Sequence, residues 1–249
     1  MSTVDKSRKP TEPSITDEDG FPWLENGEEM DQKTFHERYL RTPEGFKAEL
    51  IGGVVYVMAS PSRNRHGRSD ARVGGWLFLY SAMTQGTEVQ LNTTTILGEK
   101  SEPQPDAALF ILEECGGQSH DGVDEDDYTY GAPELLVEVA FSTRSIDLGK
   151  KFRAYEKAGV REYLVIELRK KSIQWFERSE GSFRPLPPTQ GIHRSKVFPG
   201  LWLDGEALLK NDKAAILATV RKGIETPEHA AFVAELQRRK ATSKPALPA

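Results

Sequence analysis

Hydrophobic positions recur along the chain with two different periods, and each period predicts one kind of secondary structure. Apolar residues three and four positions apart, together with start and stop residues, predict helices at 31–40, 64–85, 147–158, 206–209 and 228–239. Short apolar runs predict strands at 47–51, 54–58, 88–97, 106–112, 135–141, 162–167 and 172–177. Because strands and helices are interspersed, we predict a single α/β domain.

The two ends of the chain differ from the middle. Residues 1–28 are polar, acidic and rich in Pro, Ser and Thr, so they cannot bury enough apolar area to offset the entropy of ordering. We predict a disordered acidic tail at 1–28, one folded domain at 29–212 and a C-terminal helical and polar extension at 213–249. Within the domain, the acidic stretch 113–131 has no apolar period and is predicted to be a surface loop.

Composition limits the cellular setting. No apolar run approaches the ~20 residues that a membrane-spanning helix needs, and the amino terminus lacks the apolar core of a signal peptide. The single cysteine, Cys115, cannot form an internal disulfide, and without a second thiol it does not indicate a zinc site. We therefore expect a cytoplasmic protein with no membrane partner.

The distribution of charge favours a phosphate-bearing partner. The net charge is -5, but residues 1–30 hold eight acidic side chains and residues 113–134 hold eight more. The rest of the chain holds 30 basic and 22 acidic residues, a balance of +8. A basic folded body suits nucleic acid, although runs of charge are more often plain solvated surface.

One acidic residue, Glu138, interrupts the almost continuous apolar run 135–141. Such a run is typical of an interior strand that is covered on both faces. An unpaired buried charge costs several kcal/mol, so Glu138 must meet a cation, a metal or a proton, or lie at the open end of its strand. A structural ion pair explains this residue, taken alone, as well as a functional role does.

Two further acids lie at strand positions. Asp106 follows Pro105 at the start of an apolar strand, where a Pro-Asp pair is usually no more than a turn. Glu49 lies in the first strand of a hairpin that turns at Gly52 and Gly53, where a cross-strand salt bridge is the simpler interpretation.

The helical period places Lys151 on the same face as Leu148 and Tyr155, whereas Lys150 is turned about 100° away. Lys151 is therefore predicted to face the core. The alternatives are a pair with Asp147, worth ~0.3–0.5 kcal/mol, or an aliphatic stem that carries the amine outward.

Together the three acids and the lysine form a set with a chemical rationale. Two or three carboxylate oxygens suit Mg²⁺, a hard cation that keeps several waters and accepts phosphate oxygens. The metal would polarise the phosphorus centre and make a bound water more acidic, and Lys151 would orient that water or stabilise the developing charge.

The same residues carry a resemblance to a known family. The chain resembles the Uma-type family of bacterial endonucleases within the PD-(D/E)XK, or restriction-endonuclease-like, superfamily, over about residues 30–209. The matching segments, in chain order, are Glu49 to Gly53 with His66, Pro105-Asp106, Pro133 to Val139, Asp147 with Lys151 and Tyr155, Ala158 to Tyr163, and Ser195 to Leu201.

The resemblance implies a restriction-endonuclease-like core, with a mixed central β-sheet flanked by helices and a β-hairpin-rich extension. It implies that Asp106 and Glu138 bind Mg²⁺, or Mn²⁺ as a substitute, that Glu49 assists them, and that all three acids act with Lys151 in catalysis. The superfamily usually has its lysine two positions after the strand acid. Here that position is Ala140, so the amine would come from the following helix.

A basic segment around the start of the predicted helix 64–85 is a candidate for contact with substrate. Arg63, His66 and Arg68 belong to this segment, and Arg144 belongs to a second basic group near Lys151. We expect these four side chains to contact DNA, and we expect that a homodimer would cut both strands. The alternative is a catalytically inactive module that keeps the nuclease fold and binds nucleic acid or protein.

Overall fold

The computed structural model describes residues 20–21, 23–58, 64–122, 127–140 and 144–243, with the backbone alone for residues 64–66. The predicted tail, 1–28, lies largely outside these ranges. Its described end packs on the fold, because Leu24 is buried beside Phe35, Leu50 and Val55.

The elements follow one another in an α/β order. The helices are α1 (Gln32–Tyr39), α2 (Asn64–Ala82), α3 (Phe152–Ala158), α4 (Gly205–Lys210), α5 (Lys213–Ile224) and α6 (Pro227–Ser243). The strands in the first half are β1 (Ala48–Ile51), β2 (Val54–Val57), β3 (Thr87–Leu91), β4 (Thr95–Ile96), β5 (Ala107–Ile111), β6 (His120–Asp121) and β7 (Thr129–Tyr130). The later strands are β8 (Leu135–Ala140), β9 (Glu162–Glu167), β10 (Ser172–Ser179), β11 (Ser182–Pro185), β12 (Ile192–Arg194) and β13 (Trp202–Asp204).

A mixed six-stranded sheet forms the centre of the fold, in the order β11-β10-β9-β8-β5-β3. Only β8 and β9 pair in parallel in this sheet, and the other neighbours are antiparallel. A parallel pair needs a crossover connection, which is supplied by a π-helical segment (Ile146–Lys151) that runs into α3. The prediction of a mixed central sheet flanked by helices is confirmed.

Successive side chains of each strand point to opposite faces of the sheet, so the core has two layers. Leu135, Val137 and Val139 of β8 point to the face covered by α2, α5 and α6. Leu136 and Ala140 point to the opposite face, which is covered by α3. Both layers are apolar, so β8 is buried along its whole length.

Two local predictions were wrong. The strand predicted at 88–97 is broken at Asn92, whose left-handed backbone (φ 54°) ends β3, and β4 then joins a separate three-stranded sheet with β7 and β6. The segment 113–131 is more than a surface loop. It contains a 3₁₀ turn (Glu113–Cys115) that buries Cys115 in the core, and it contributes β6 and β7.

The segment after residue 212 forms α5 and α6, whereas the prediction includes only the second of these helices. Ile216 and Val220 of α5 and Leu236 of α6 are buried in the layer that also contains α2. Ile216, Val220 and Ile224 lie four residues apart, so the helical period of α5 is present in the sequence and the prediction missed it.

Candidate active site

Glu138 lies in the middle of β8 on the face covered by α3. Its side chain is buried, with 4% of the residue exposed. The Oε1 atom accepts hydrogen bonds from Lys151 Nζ at 3.0 Å and from the Tyr155 hydroxyl at 2.8 Å. The isolated acid in an apolar strand therefore has the buried cation that its sequence context requires.

Asp106 is brought to the same side of the sheet by strand register. Ala107 pairs with Val137 in the antiparallel β5–β8 ladder, so the next pair in register is Asp106 opposite Glu138. Directly opposite residues in such a ladder project from the same face. The Oδ2 atom of Asp106 accepts a hydrogen bond from the backbone N–H of Val139 at 2.6 Å, which holds the carboxylate beside β8.

Glu49 reaches the cluster from the β1–β2 hairpin. Gly52 and Gly53 both have positive φ, 62° and 84°, as the tight turn between the two strands requires. Backbone hydrogen bonds in both directions between Leu50 and Glu102 fasten the hairpin to the segment that leads to Asp106. Glu49 is 1% exposed, and its Oε1 accepts from the Gln104 N–H at 2.7 Å.

Lys151 joins the two glutamates. It ends the π-helical segment, and its side chain, 4% exposed, projects toward the sheet. The Nζ atom is 2.8 Å from Glu49 Oε1 and 3.0 Å from Glu138 Oε1. The prediction that Lys151 faces the core agrees with this geometry, and its charge is balanced by acids from two different parts of the chain.

The cluster shifts the protonation equilibria of its members. Burial raises the pKa of the Glu138 carboxyl well above its usual value, Lys151 opposes that shift, and Asp106, Asp147 and Glu49 reinforce it. For Lys151, burial acts to lower the pKa, but the charges of Glu138 and Glu49 outweigh it and raise the pKa above its ordinary range. Lys151 therefore stays charged, and Glu138 accepts a proton more readily than an exposed glutamate does.

Two residues support the cluster without having been assigned a role from the sequence. Burial raises the pKa of the Tyr155 hydroxyl well above its usual value, so this group remains a proton donor to Glu138. Tyr155 lies four residues after Lys151, and the helical period placed it on the same face as Lys151 without indicating its contact with Glu138. Gln104 acts on Glu49 through its backbone N–H, a contact that no side-chain pattern reveals.

The oxygen atoms of the acids are the kind that a hard divalent cation prefers. Within the described ranges, however, no group of three or more His, Cys, Asp or Glu side chains is arranged to hold a metal ion. The ammonium group of Lys151 lies between Glu49 and Glu138. Strand register places Asp106 and Glu138 on the same sheet face, and their carboxylate oxygens are of the kind that a hard divalent cation binds.

The basic residues predicted to contact substrate are only partly described. Arg63 lies outside the described residues, and so does the side chain of His66. Arg68 projects from α2, which covers the sheet face opposite Glu138. Arg144 is half-exposed and forms an ion pair with the buried carboxylate of Glu167 at the end of β9.

The mixed sheet and its flanking helices belong to the restriction-endonuclease-like class of folds. A solved structure with this architecture is described as "a putative nuclease belonging to DUF820" from Anabaena variabilis. It is 14% identical in sequence, with a TM-score of 0.54 over 70% of this chain and 96% of the other. At that identity the likeness concerns the fold.

A family model described as "Uma2: Putative restriction endonuclease" matches residues 33–206. The chain therefore belongs to this family of nucleases. No curated protein matches the chain. No helix in the described part of the protein combines the length and apolar character needed to cross a membrane.

Proposed function

We propose that this chain is a divalent-metal-dependent endonuclease that hydrolyses phosphodiester bonds of DNA, using Mg²⁺ with Mn²⁺ as a substitute. The observation that supports it best is the buried contact of Lys151 with Glu49 and Glu138, with Asp106 opposite Glu138 on the same sheet face. Buried ionisable groups are costly to maintain, and such clusters are concentrated at functional sites.

In this proposal Asp106 and Glu138 hold the metal, and Glu49 assists from the hairpin. A bound Mg²⁺ would supply Lewis acidity and a more acidic water. The chain's own residues keep the acids in place: Val139 N–H holds Asp106, Tyr155 holds Glu138, and Gln104 N–H holds Glu49. These are positioning contacts, and they limit the geometries that the carboxylates can adopt.

Lys151 has the catalytic role of a fixed positive charge beside the scissile phosphate. Its ammonium group would stabilise negative charge that develops on the phosphate oxygens, or orient the attacking water. Because the raised pKa keeps Lys151 protonated, it acts as a donor of hydrogen bonds and not as a general base.

The substrate side of the proposal rests on Arg144 and on the basic segment that contains Arg63 and His66. The expected contact of Arg68 is not carried further, because Arg68 lies on the sheet face opposite Glu138. Arg144 is half-exposed, so a DNA phosphate can approach it in competition with Glu167.

A homodimer would place two active sites on one DNA duplex. Production of linear plasmid together with nicked plasmid would support that arrangement, and nicked plasmid alone would argue for one site per encounter.

The decisive experiment is incubation of the purified protein with plasmid and single-stranded DNA, with Mg²⁺, with Mn²⁺ and with EDTA. We expect cleavage only with metal. Asp106→Asn and Glu138→Gln keep the size of each side chain and should reduce cleavage by at least ~100-fold, a typical loss for a group that stabilises the transition state. Lys151→Met should do the same, whereas Lys150→Met, at the adjacent exposed position, should cleave like the wild type.

Direct metal binding separates the nuclease from an inactive module with the same fold. Calorimetric titration with Mn²⁺ should show binding to the wild-type chain that Asp106→Asn and Glu138→Gln both weaken. DNA binding without cleavage, with Mn²⁺ binding unaffected by either substitution, would overturn the proposal in favour of the inactive module. Circular dichroism of each variant controls for loss of the fold.

A further inference from the structure

A large cavity lies on the opposite side of the sheet from the candidate active site. Its volume is about 870 Å³, and its walls come from α2, α5, the ends of β9 and α4, and the turn after β9. Ile166 of β9, which lines it, belongs to the core layer of Val137 and Val139, whereas Glu138 points to the other layer. The sheet therefore separates this cavity from the acids and Lys151.

The interior of the cavity is mainly aliphatic. The side chains that form it are Val73, Leu79, Ile166, Leu168, Leu208, Leu209, Ile216 and Leu217, together with Trp76. Pockets of about 300 to 1,000 Å³ with apolar walls and a few polar groups are typical sites for small organic ligands. Size and lining both fit a ligand with a substantial hydrocarbon part.

The charged side chains around the cavity all have one sign. They are Arg68, Arg72, Lys171 and Lys213, and no Asp or Glu lines it among the residues that the structure describes. Neutral polar groups are contributed by Ser69 and Asn211. An occupant should therefore carry negative charge as well as apolar surface, because opposite charge compensates the cations.

Arg72 has the most distinctive position among these cations. It lies midway between Arg68 and Trp76 at four-residue spacings, in the centre of the α2 face that lines the cavity. Its Nη2 donates to Ser69 Oγ at 2.7 Å, while its Nε is buried without a hydrogen-bond partner. Burial also lowers the pKa of the guanidinium. A buried, unsatisfied donor next to an apolar space is a place where an anion would gain most.

We propose that this cavity binds a long-chain aliphatic carboxylate, with the carboxylate on Arg72 and the chain against the aliphatic walls. A carboxylate suits the guanidinium of Arg72, and among the described lining residues a nucleobase would find one aromatic ring, Trp76, and one side-chain amide, Asn211. The site is separate from the proposed catalytic cluster, since none of Glu49, Asp106, Glu138 and Lys151 lines the cavity.

The experiment is calorimetric titration of the full chain with dodecanoate, with dodecyltrimethylammonium and with acetate. Dodecanoate should bind at one site per chain, the cation of equal chain length at least tenfold more weakly, and acetate not measurably. Arg72→Leu should weaken dodecanoate at least tenfold and should reduce the preference for the anion. Equal affinity for the anionic and cationic amphiphiles would overturn the proposal.

Substitutions at two glycines of α2 test whether dodecanoate binds in this cavity. Gly75 lines the cavity, and a Cβ there would meet nothing within 4 Å, so Gly75→Leu fills the space without a clash at the backbone. Gly67, on the same helix, also has open space around its Cβ and does not line the cavity. Gly75→Leu should abolish dodecanoate binding and Gly67→Leu should leave it unchanged.

Two controls complete the test. Thermal unfolding of each variant shows whether the fold survives, and Gly75→Ala, which leaves most of the space open, should still bind dodecanoate. Retention of binding in Gly75→Leu would mean that the ligand adsorbs elsewhere. Displacement of dodecanoate by short duplex DNA would assign the basic rim to nucleic acid, and would also overturn the proposal.

Discussion

The side chain of Lys151 is both buried and positively charged, a combination that is seldom found in proteins. Lysine is almost never fully buried unless it is paired, because removing an ammonium group from water costs several kcal/mol. Here two carboxylates, one from the hairpin and one from the central strand, lie within 3.0 Å of Nζ. The lysine thereby links two parts of the chain that are 102 and 13 residues away in sequence.

Replacing Lys151 by Met should destabilise the fold by about 3 kcal/mol, because Glu49 and Glu138 would keep their burial and lose their cation. The loss is at the lower end of the range for broken buried pairs, since the raised pKa of Glu138 lets it accept a proton instead. Urea unfolding at pH 7 measures the change. Lys150→Met, an exposed neighbour, should change stability by less than about 0.5 kcal/mol, and equal effects at the two positions would contradict the assignment.

A second buried acid, Glu162, connects β9 to the segment after β12. Its carboxylate accepts hydrogen bonds from Ser195 Oγ, from the backbone N–H groups of Lys196 and Val197, and from Trp175 Nε1. Burial raises the pKa of Glu162 to about 7, against the lowering effect of these four donors. Glu162 is far from exposed, so its protonation is coupled to folding.

The stability of the protein should therefore depend on Glu162 between pH 4.5 and about 7. In that window the folded state holds a proton on Glu162 that the unfolded state has released, so the contribution is complete below pH 4.5 and is lost as the pH rises to about 7. The expected loss is on the order of 2–3 kcal/mol. Between pH 5 and 7 the unfolding free energy of the wild type should fall relative to that of Glu162→Gln, which cannot titrate at this position, and a difference that stays constant with pH would refute this.

At the scale of elements, the connection between β8 and β9 explains why the lysine can come from a helix. The π-helical turn before α3 ends at Lys151, and α3 then continues for seven residues to Ala158. Lys151 and Tyr155, one turn apart, thus both reach Glu138 on the strand beneath. A wide turn of this kind is often found at functional sites.

Helix α5 meets the loop after β12 at a contact that permits only glycine. A Cβ on Gly223 would lie 2.0 Å from the carbonyl oxygen of Gly200, a backbone atom that cannot move aside cheaply. Gly223→Ala should therefore destabilise the protein by about 2 kcal/mol or more, even though alanine favours helix by ~1 kcal/mol. Gly75→Ala, where the Cβ has open space, should be neutral or stabilising in the same urea titration. Similar effects of both substitutions would show that the close approach does not exist.

At the scale of the whole molecule, α5 and α6 complete one of the two core layers. Ile216, Val220 and Leu236 are each buried to 7% exposure or less against α2 and the sheet. Each such side chain contributes ~1.5–3 kcal/mol when it leaves water. Their sum is comparable with the whole stability of a typical domain, ~5–15 kcal/mol.

A chain that ends at Asp212 should for this reason lose cooperative folding. We expect a broad thermal transition by circular dichroism and association on size-exclusion chromatography, because the apolar side of α2 is exposed. Leu236→Ala in the full chain should cost ~2–5 kcal/mol and still unfold cooperatively. A sharp transition at the wild-type temperature for the shortened chain would mean that 213–249 is a separable extension.

Several features of this protein could be predicted from the sequence because they depend on local chemistry. The period of apolar residues located α2, α3, β8 and β9, and glycine pairs located the hairpin turn. The rule that a buried charge needs a partner singled out Glu138, and the helical period turned Lys151 inward. The prediction of one strand at 88–97 was wrong because the left-handed residue Asn92 ends β3, and the chain then joins a different sheet. Helix α5 was missed although Ile216, Val220 and Ile224 have helical spacing.

The sequence by itself therefore determined the class of fold, the interior strand with its acid, and the direction of the lysine. The tertiary structure decided which groups meet: the β5–β8 register sets Asp106 opposite Glu138, the hairpin delivers Glu49, and Lys151 stands between the two glutamates. It also decided that α2 and α5 enclose a cationic, aliphatic cavity. Register and contacts between distant segments arise from the packing of whole elements, and no local pattern of residues encodes them.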